Sequence, residues 1–258
     1  MRVWDIHPGY LNRNSLLGEH AEVHSVLGVV LGGRKGFGRH PETMRWRGRL
    51  PALRRRHDLI VCEMALRGYR HHSAVTAEGV ERWPETFVHT PAEQFAILRR
   101  KYEGRPPGRI PLPETCGRLW VQHEYSMLAR ETDVWAGAAP DALSQTDRGS
   151  FEELALHLVD VLRRPPTEVG LAHALRRIWD AVARFAPQTE PPELGDLGLL
   201  LGAVQELALE HRVRGLLEST ALSELGAWLA GPLESSPRRS DARLAEPDAG
   251  EERDARAD

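Results

Sequence analysis

Apolar residues in the first part of the chain recur at helical spacing. Leu16, Val23, Leu27, Val30 and Leu31 fall along one predicted helix, which Asn14 or Ser15 can cap and Gly32-Gly33 ends. Leu50, Leu53, Ile60 and Met64 predict a second helix, from about Leu50 to Arg67, stopped by Gly68. Pro91 suits the first turn of a third, continuing through Phe95, Ile97 and Leu98 to about Tyr102. Later helices are expected over Leu119–Arg130, Phe151–Leu162, Val169–Phe185 and Leu197 to about Trp228, with RRPPT (163–167) separating two of them. The expected class is all-α, and no internal repeat is visible.

Two interruptions divide this pattern. GGRKGFGRHPET (32–43) reads as a glycine-rich loop, and GRPPGRIPLPE (104–114) carries four prolines and two glycines, so it reads as a linker. The expected organisation is a helical domain over 1–105, a Pro/Gly linker over 106–114 and a second helical domain over 115–231. Residues 232–258 are rich in Ser, Pro, Ala, Arg, Asp and Glu, which predicts a disordered tail.

Charge separates the same two halves. The first 110 residues carry 19 Lys and Arg against 11 Asp and Glu, and the remainder carry 15 against 26. A basic first domain suits a polyanion, because each neutralised phosphate releases counterions, although an Arg-rich solvated face gives the same composition. The longest nearly apolar run, Leu197 to Val204, is far shorter than the roughly 20 residues a membrane span requires. MRVWDIHPGY does not read as a signal peptide, and two cysteines build no disulfide framework, so a cytoplasmic protein is expected.

Several residues could carry chemistry. His20 and His24 are four apart in LLGEHAEVH and share a helix face, the spacing of two metal ligands, although Ala21 stands where a zinc-peptidase helix has Glu. Packing at the edge of the core is the other reading of these histidines. Glu22 is a mid-helix carboxylate in a basic domain, either solvated or a general acid/base. The loop has no GxxxxGK[ST] and follows no predicted strand, which excludes a nucleotide P-loop. Arg34, Lys35 and Arg39 could instead hold a nucleic-acid backbone, and in RWRGRLPALRRRH (45–57) Arg47 and Arg54 could line an exposed phosphate-contacting face.

Two of these segments, LLGEHAEV (16–23) and RLPALRRRHDLIVCEMALRGY (49–69), together resemble the pyrimidine-dimer DNA glycosylases of the endonuclease V type. ETFVHTPAEQFAILRRK (85–101) is similar to the end of a short bacterial branch of that family. The resemblance covers about residues 1–105. It implies an endonuclease V-like helical domain and a bifunctional N-glycosylase with abasic-site lyase activity on damaged duplex DNA, needing neither cofactor nor metal. In that family a free N-terminal amine attacks C1′ and forms an imine, assisted by a helix-borne Glu. The register places these roles on Met1 and Glu22, with Arg2, Asn14, His20, Arg34, Lys35, Arg39, Arg47 and Arg54 as the expected DNA-binding set. An α-amine has a reference pKa of about 7.7–8.0, so such amines are partly neutral near pH 7. A non-catalytic nucleic-acid-binding protein with the same fold is the alternative, followed by a metal-dependent hydrolase built on His20 and His24.

LWVQHEYSMLAR (119–130) and LVDVLRRPPTEVGLAHALRRIWDAV (158–182) resemble an uncharacterised bacterial helical domain that also accompanies thiouracil-desulfurising modules. The resemblance picks out His123, Tyr125, Arg164, Thr167, His173 and Trp179. It implies no activity, and leaves residues 115–231 as a surface for a protein partner.

Overall fold

A computed structural model describes residues 1–32, 37–130, 148–186 and 196–229. Arg34, Lys35 and the tail expected to be disordered lie outside the described residues. Within them the chain is all-α, with no strand, and no helix is long and apolar enough to cross a membrane.

An extended segment over residues 1–7 leads through a single 3-10 turn into α1 (Arg13–Val30). The cap of α1 is Asn12 rather than Asn14 or Ser15, because its side-chain oxygen accepts from Ser15 N at 3.0 Å. A short helix, α2 (Pro41–Arg45), interrupts the glycine-rich segment, started by Pro41 and capped by His40. Next is α3 (Leu50–Leu66), which ends where Gly68 adopts a φ of 78° and Tyr69 N donates back to Met64 O. The start of α4 (Pro91–Lys101) is a capping box of Thr90 and Glu93.

Thr115 caps α5 (Cys116–Leu128), α6 (Arg148–Leu162) follows, and Thr167 and Asp196 cap α7 (Glu168–Val182) and α8 (Leu197–Glu210). The long helix expected to Trp228 stops at Glu210. Arg212 takes a φ of 49° and Val213 N bonds to Ala208 O, which turns the chain into α9 (Arg214–Leu217), α10 (Ala221–Glu224) and α11 (Gly226–Leu229).

Two apolar cores result. The first joins Val3, Trp4 and Ile6 to α1, α3 and α4, and takes in Leu119 and Trp120 of α5 and Leu154 to Val161 of α6. The second packs α7 and α8 against α9 to α11, with Trp179 buried inside it. Buried ions fasten one to the other. Glu63 binds Arg67 and Arg109 and accepts from Ser223 Oγ at 2.6 Å, while Arg130 pairs with Glu224. Burial opposes ionisation of Glu63, but the two guanidiniums prevail and hold its carboxyl well below the ordinary range.

The Pro/Gly segment is irregular, as its composition requires, but it is held in place. Ile110 is fully buried and donates its amide to Gly9 O at 2.9 Å, and Arg109 reaches Glu63. Gly108 lies against the chain at Tyr10, where an added Cβ would come within 2.5 Å of the Tyr10 carbonyl carbon and oxygen. Because backbone cannot yield as a side-chain tip can, Gly108→Ala is expected to destabilise the fold by about 3 kcal/mol, read as a lower urea midpoint.

Acid should weaken the same region. His7 and His123 are both fully buried, and desolvation lowers His7 well below 6.5 and His123 to about 4. The unfolded chain binds these protons near pH 6.5 while the folded chain refuses them. Stability is therefore complete above pH 6.5 and falls as the pH drops toward 4. Between pH 7 and pH 5 the loss from His123 alone is about 2 kcal/mol, measurable as a shift in urea midpoint.

Candidate active site

The first seven residues are tied to four helices at almost every step. Val3 O accepts from Arg45 Nη2 at 2.8 Å, and Trp4 N donates to Glu19 Oε1 at 2.8 Å. Asp5 N donates to Gln94 Oε1 at 2.8 Å, and Ile6 O accepts from Arg56 Nη1 at 2.8 Å. Between these bonds, the side chains of Val3, Trp4 and Ile6 enter the first core. The start of the chain is thus held as firmly as an internal strand.

Glu19 is the centre of this anchor. It is 2% exposed and receives Arg56 in a two-pronged contact, Nε to Oε1 and Nη2 to Oε2, both at 2.8 Å. Burial raises the Glu19 carboxyl above its ordinary value, and Arg56 with the Trp4 amide pulls against that rise. Three donors on two oxygens is the pattern of a carboxylate. Nearby, Arg45 joins Asp5 and Glu42 at 3.0 and 2.6 Å, and Arg163 reaches Asp5 from the end of α6.

This scaffold delivers the chain's first amine to α1. Met1 N lies 3.6 Å from Glu22 Oε1. The Met1 side chain packs against the first core, and its sulfur accepts from Thr43 Oγ1 at 3.3 Å. Glu22 is different in kind from Glu19: its side chain is 35% exposed and it faces the amine rather than a guanidinium. An amine and a carboxylate this close can exchange a proton directly or through one water, and the carboxylate retains access to a third group.

The residues expected to contact DNA differ in what they already bind. Arg2 lies over the Trp4 ring at 4.7 Å, and burial lowers its pKa, with Glu42 opposing. Arg39, Arg47 and Asn14 are exposed, with Arg47 also bonded to Gly38 O. Arg54 does not fit the phosphate-contact role expected of it. It pairs with Asp58 at 2.9 Å and Glu81 at 3.2 Å, so its charge is already neutralised. The same holds along the arginine-rich helix, where Arg55 binds Glu81 and Arg56 binds Glu19. Lys101 and Arg105, both exposed, were missed in the sequence because no helical pattern places them near Arg2. Desolvation and then the charges of Arg105 and Arg2 lower the Lys101 pKa, which puts the three in electrostatic reach of one another.

His20 also departs from the DNA-contact expectation. It is drawn in among His24, His57 and His71, on the side of α1 turned away from Glu22. Burial, followed by the three neighbouring rings, lowers its pKa to about 4, so it is neutral at physiological pH and offers a phosphate no charge. Of the positions marked by the second resemblance, Thr167 caps α7, His123 bonds to Leu119 O and Trp179 is core, which gives each a structural task.

Residues 1–77 match the family model described as pyrimidine dimer DNA glycosylase. The match spans Met1, Glu22, α1, α2 and α3, and ends before α4. It covers 77 of the 258 residues. No curated protein and no solved structure matches the chain.

Proposed function

We propose that this protein removes pyrimidine-dimer-type lesions as an N-glycosylase and then cleaves the strand as an abasic-site lyase, with the Met1 amine as nucleophile and Glu22 as the acid/base group. The observation that carries this reading is the 3.6 Å approach of Met1 N to Glu22 Oε1, at the end of a segment that cannot swing away. Effective concentrations rise steeply when a nucleophile is held in place, and the anchoring of residues 3–6 supplies that restraint.

In the first step the neutral amine attacks C1′ of the damaged nucleotide. A C–N bond forms at C1′ as the glycosidic bond breaks, and the base departs with the bonding electrons and is protonated. Glu22 receives a proton from the attacking nitrogen and passes it to O4′ as the sugar ring opens, which leaves a protonated imine between Met1 and C1′ and restores the carboxylate. Loss of a C2′ proton to the Glu22 carboxylate then expels the 3′ phosphate by β-elimination, and hydrolysis of the imine restores the amine. Arg2, Arg39, Arg47, Lys101 and Arg105 are the cations available to hold the backbone on either side, and exposed Asn14 can add a hydrogen bond. Reaching C1′ in a duplex requires bending the DNA or extruding a nucleotide, which a grip on both flanks makes possible.

Borohydride reduction tests this directly. The protein mixed with abasic or dimer-containing duplex is expected to give a covalent adduct that survives denaturing gels. A variant with one residue added before Met1 is expected to give none. Salt-sensitive binding without any adduct on either DNA would instead select a non-catalytic binding protein.

A further inference from the structure

Opposite the amine, α1 presents a second cluster that the proposed DNA chemistry does not use. His20 and His24 come from α1, His57 from the middle of α3, and His71 from just beyond the Gly68 stop. One ring nitrogen from each lies within 4.8 Å of all the others. Ring centroids of neighbouring pairs are 4.7 to 5.2 Å apart, and most of these pairs are steeply tilted. His57 is buried, and both of its ring nitrogens and Nε2 of His71 have no hydrogen-bond partner.

Buried polar atoms without partners are costly, about 1–3 kcal/mol each, and His57 and His71 bring three of them to this cluster. A lone imidazole in a core can satisfy itself on a carbonyl, as His123 does on Leu119 O. Here His20 and His24 contact each other, Nε2 to Nε2 at 3.3 Å, but both ring nitrogens of buried His57 and Nε2 of His71 are left without a partner beside them. A cation at the centre removes the difficulty, since every lone pair then points at positive charge.

We propose that His20, His24, His57 and His71 bind one divalent transition-metal ion of the zinc class, which staples α1 to α3 and to the segment after it. Zinc–nitrogen bonds of 2.0–2.1 Å put tetrahedral donors about 3.3 Å apart. Nε2 of His20 and Nε2 of His24 are 3.3 Å apart. The widest pairs need to close by about 1.5 Å, which small rotations of the rings supply. Imidazole-only ligation suits zinc and its neighbours and not calcium or magnesium, which take oxygen. Asp58 Oδ1, 3.7 Å from His57 Nδ1, adds negative charge beside a set of ligands that has none.

Four protein donors leave no open position for water or substrate, so the ion is structural rather than hydrolytic. Its place on the helix agrees with that role. At 100° per residue, Glu22 points about 160° away from both His20 and His24, so the ion does not reach the amine. It instead holds the helix that carries Glu19 and Glu22 from behind.

The test uses full-length protein purified without a histidine tag. Elemental analysis is expected to find about one zinc-class ion per chain, or the chelated protein to take up one equivalent of added Zn²⁺ with a rise in Tm. Co²⁺ in its place should give the visible absorption bands of a tetrahedral nitrogen site. His57→Gln and, at the more exposed rim, His24→Gln are each expected to weaken binding roughly tenfold or more and to remove the Tm rise. Should His57→Gln fail to fold, His24→Gln carries the test. Chelated protein that takes up no Zn²⁺ and shows no Tm change overturns the proposal, and so does uptake unaltered by either substitution. Both readouts are independent of DNA cleavage, so this site and the lyase reading stand or fall separately.

Discussion

Glu22→Gln lowers strand cleavage by roughly 10²- to 10⁴-fold, the usual contribution of a positioned acid/base group. The substitution keeps the shape of the side chain and removes its capacity to accept a proton. Glu22 is one-third exposed and its 3.6 Å contact is to the Met1 amine, so the fold loses little. The structural carboxylate of α1 is Glu19, one turn earlier, which Glu22→Gln leaves untouched. Single-turnover cleavage of an abasic duplex measures the loss, and a Tm close to that of the unaltered protein excludes unfolding as its cause. Borohydride should still trap some adduct, because the amine persists while its proton acceptor does not. Cleavage within a few-fold of the original would remove Glu22 from the mechanism.

Arg56→Met has the largest expected effect on stability, about 3–5 kcal/mol. It leaves the Glu19 carboxylate buried with only the Trp4 amide as donor, and it strips Ile6 O of its partner. Removing one member of a buried pair costs more than the pair contributes, because the other member keeps its desolvation penalty. Urea denaturation followed by circular dichroism reads the change, and a loss below about 1 kcal/mol would show that water reaches Glu19. Changing both partners, Glu19→Met with Arg56→Met, should recover part of the stability. It should not recover cleavage, because the Trp4 amide then has no acceptor and the first residues lose their register on α1. Stability and activity separate in the double variant, which distinguishes anchoring of the amine from support of the core.

The arginine-rich stretch shows how charge can mislead when read along a chain. Composition makes residues 45–57 a phosphate-binding face, yet Arg45, Arg54, Arg55 and Arg56 meet Asp5, Glu42, Asp58, Glu81 and Glu19. Three of these acids lie well over ten residues from their partners, so no local pattern reveals them. A buried cation requires a buried anion, and which anion is a matter of packing. The exposed cations in electrostatic reach of Arg2, Lys101 and Arg105, come from the end of α4 and the residues after it.

Helical periodicity, Pro91 and glycine stops were enough to specify α1, α3 and α4 (although not the cap of α1) and the break at residues 163–167, because these signals act within a few residues of one another. The resemblance that points to Met1 and Glu22 is likewise carried by local motifs, and the fold places the two 3.6 Å apart. Other features depended on distant parts of the chain. These include the grip of Glu19 on Trp4, the seating of Gly108 on Tyr10, the reversal at Arg212 and the meeting of His20 and His24 with His57 and His71. Each depends on surfaces that come into contact only when α1, α3 and the later helices pack, and burial then decides which charges must pair and which rings must find a common partner.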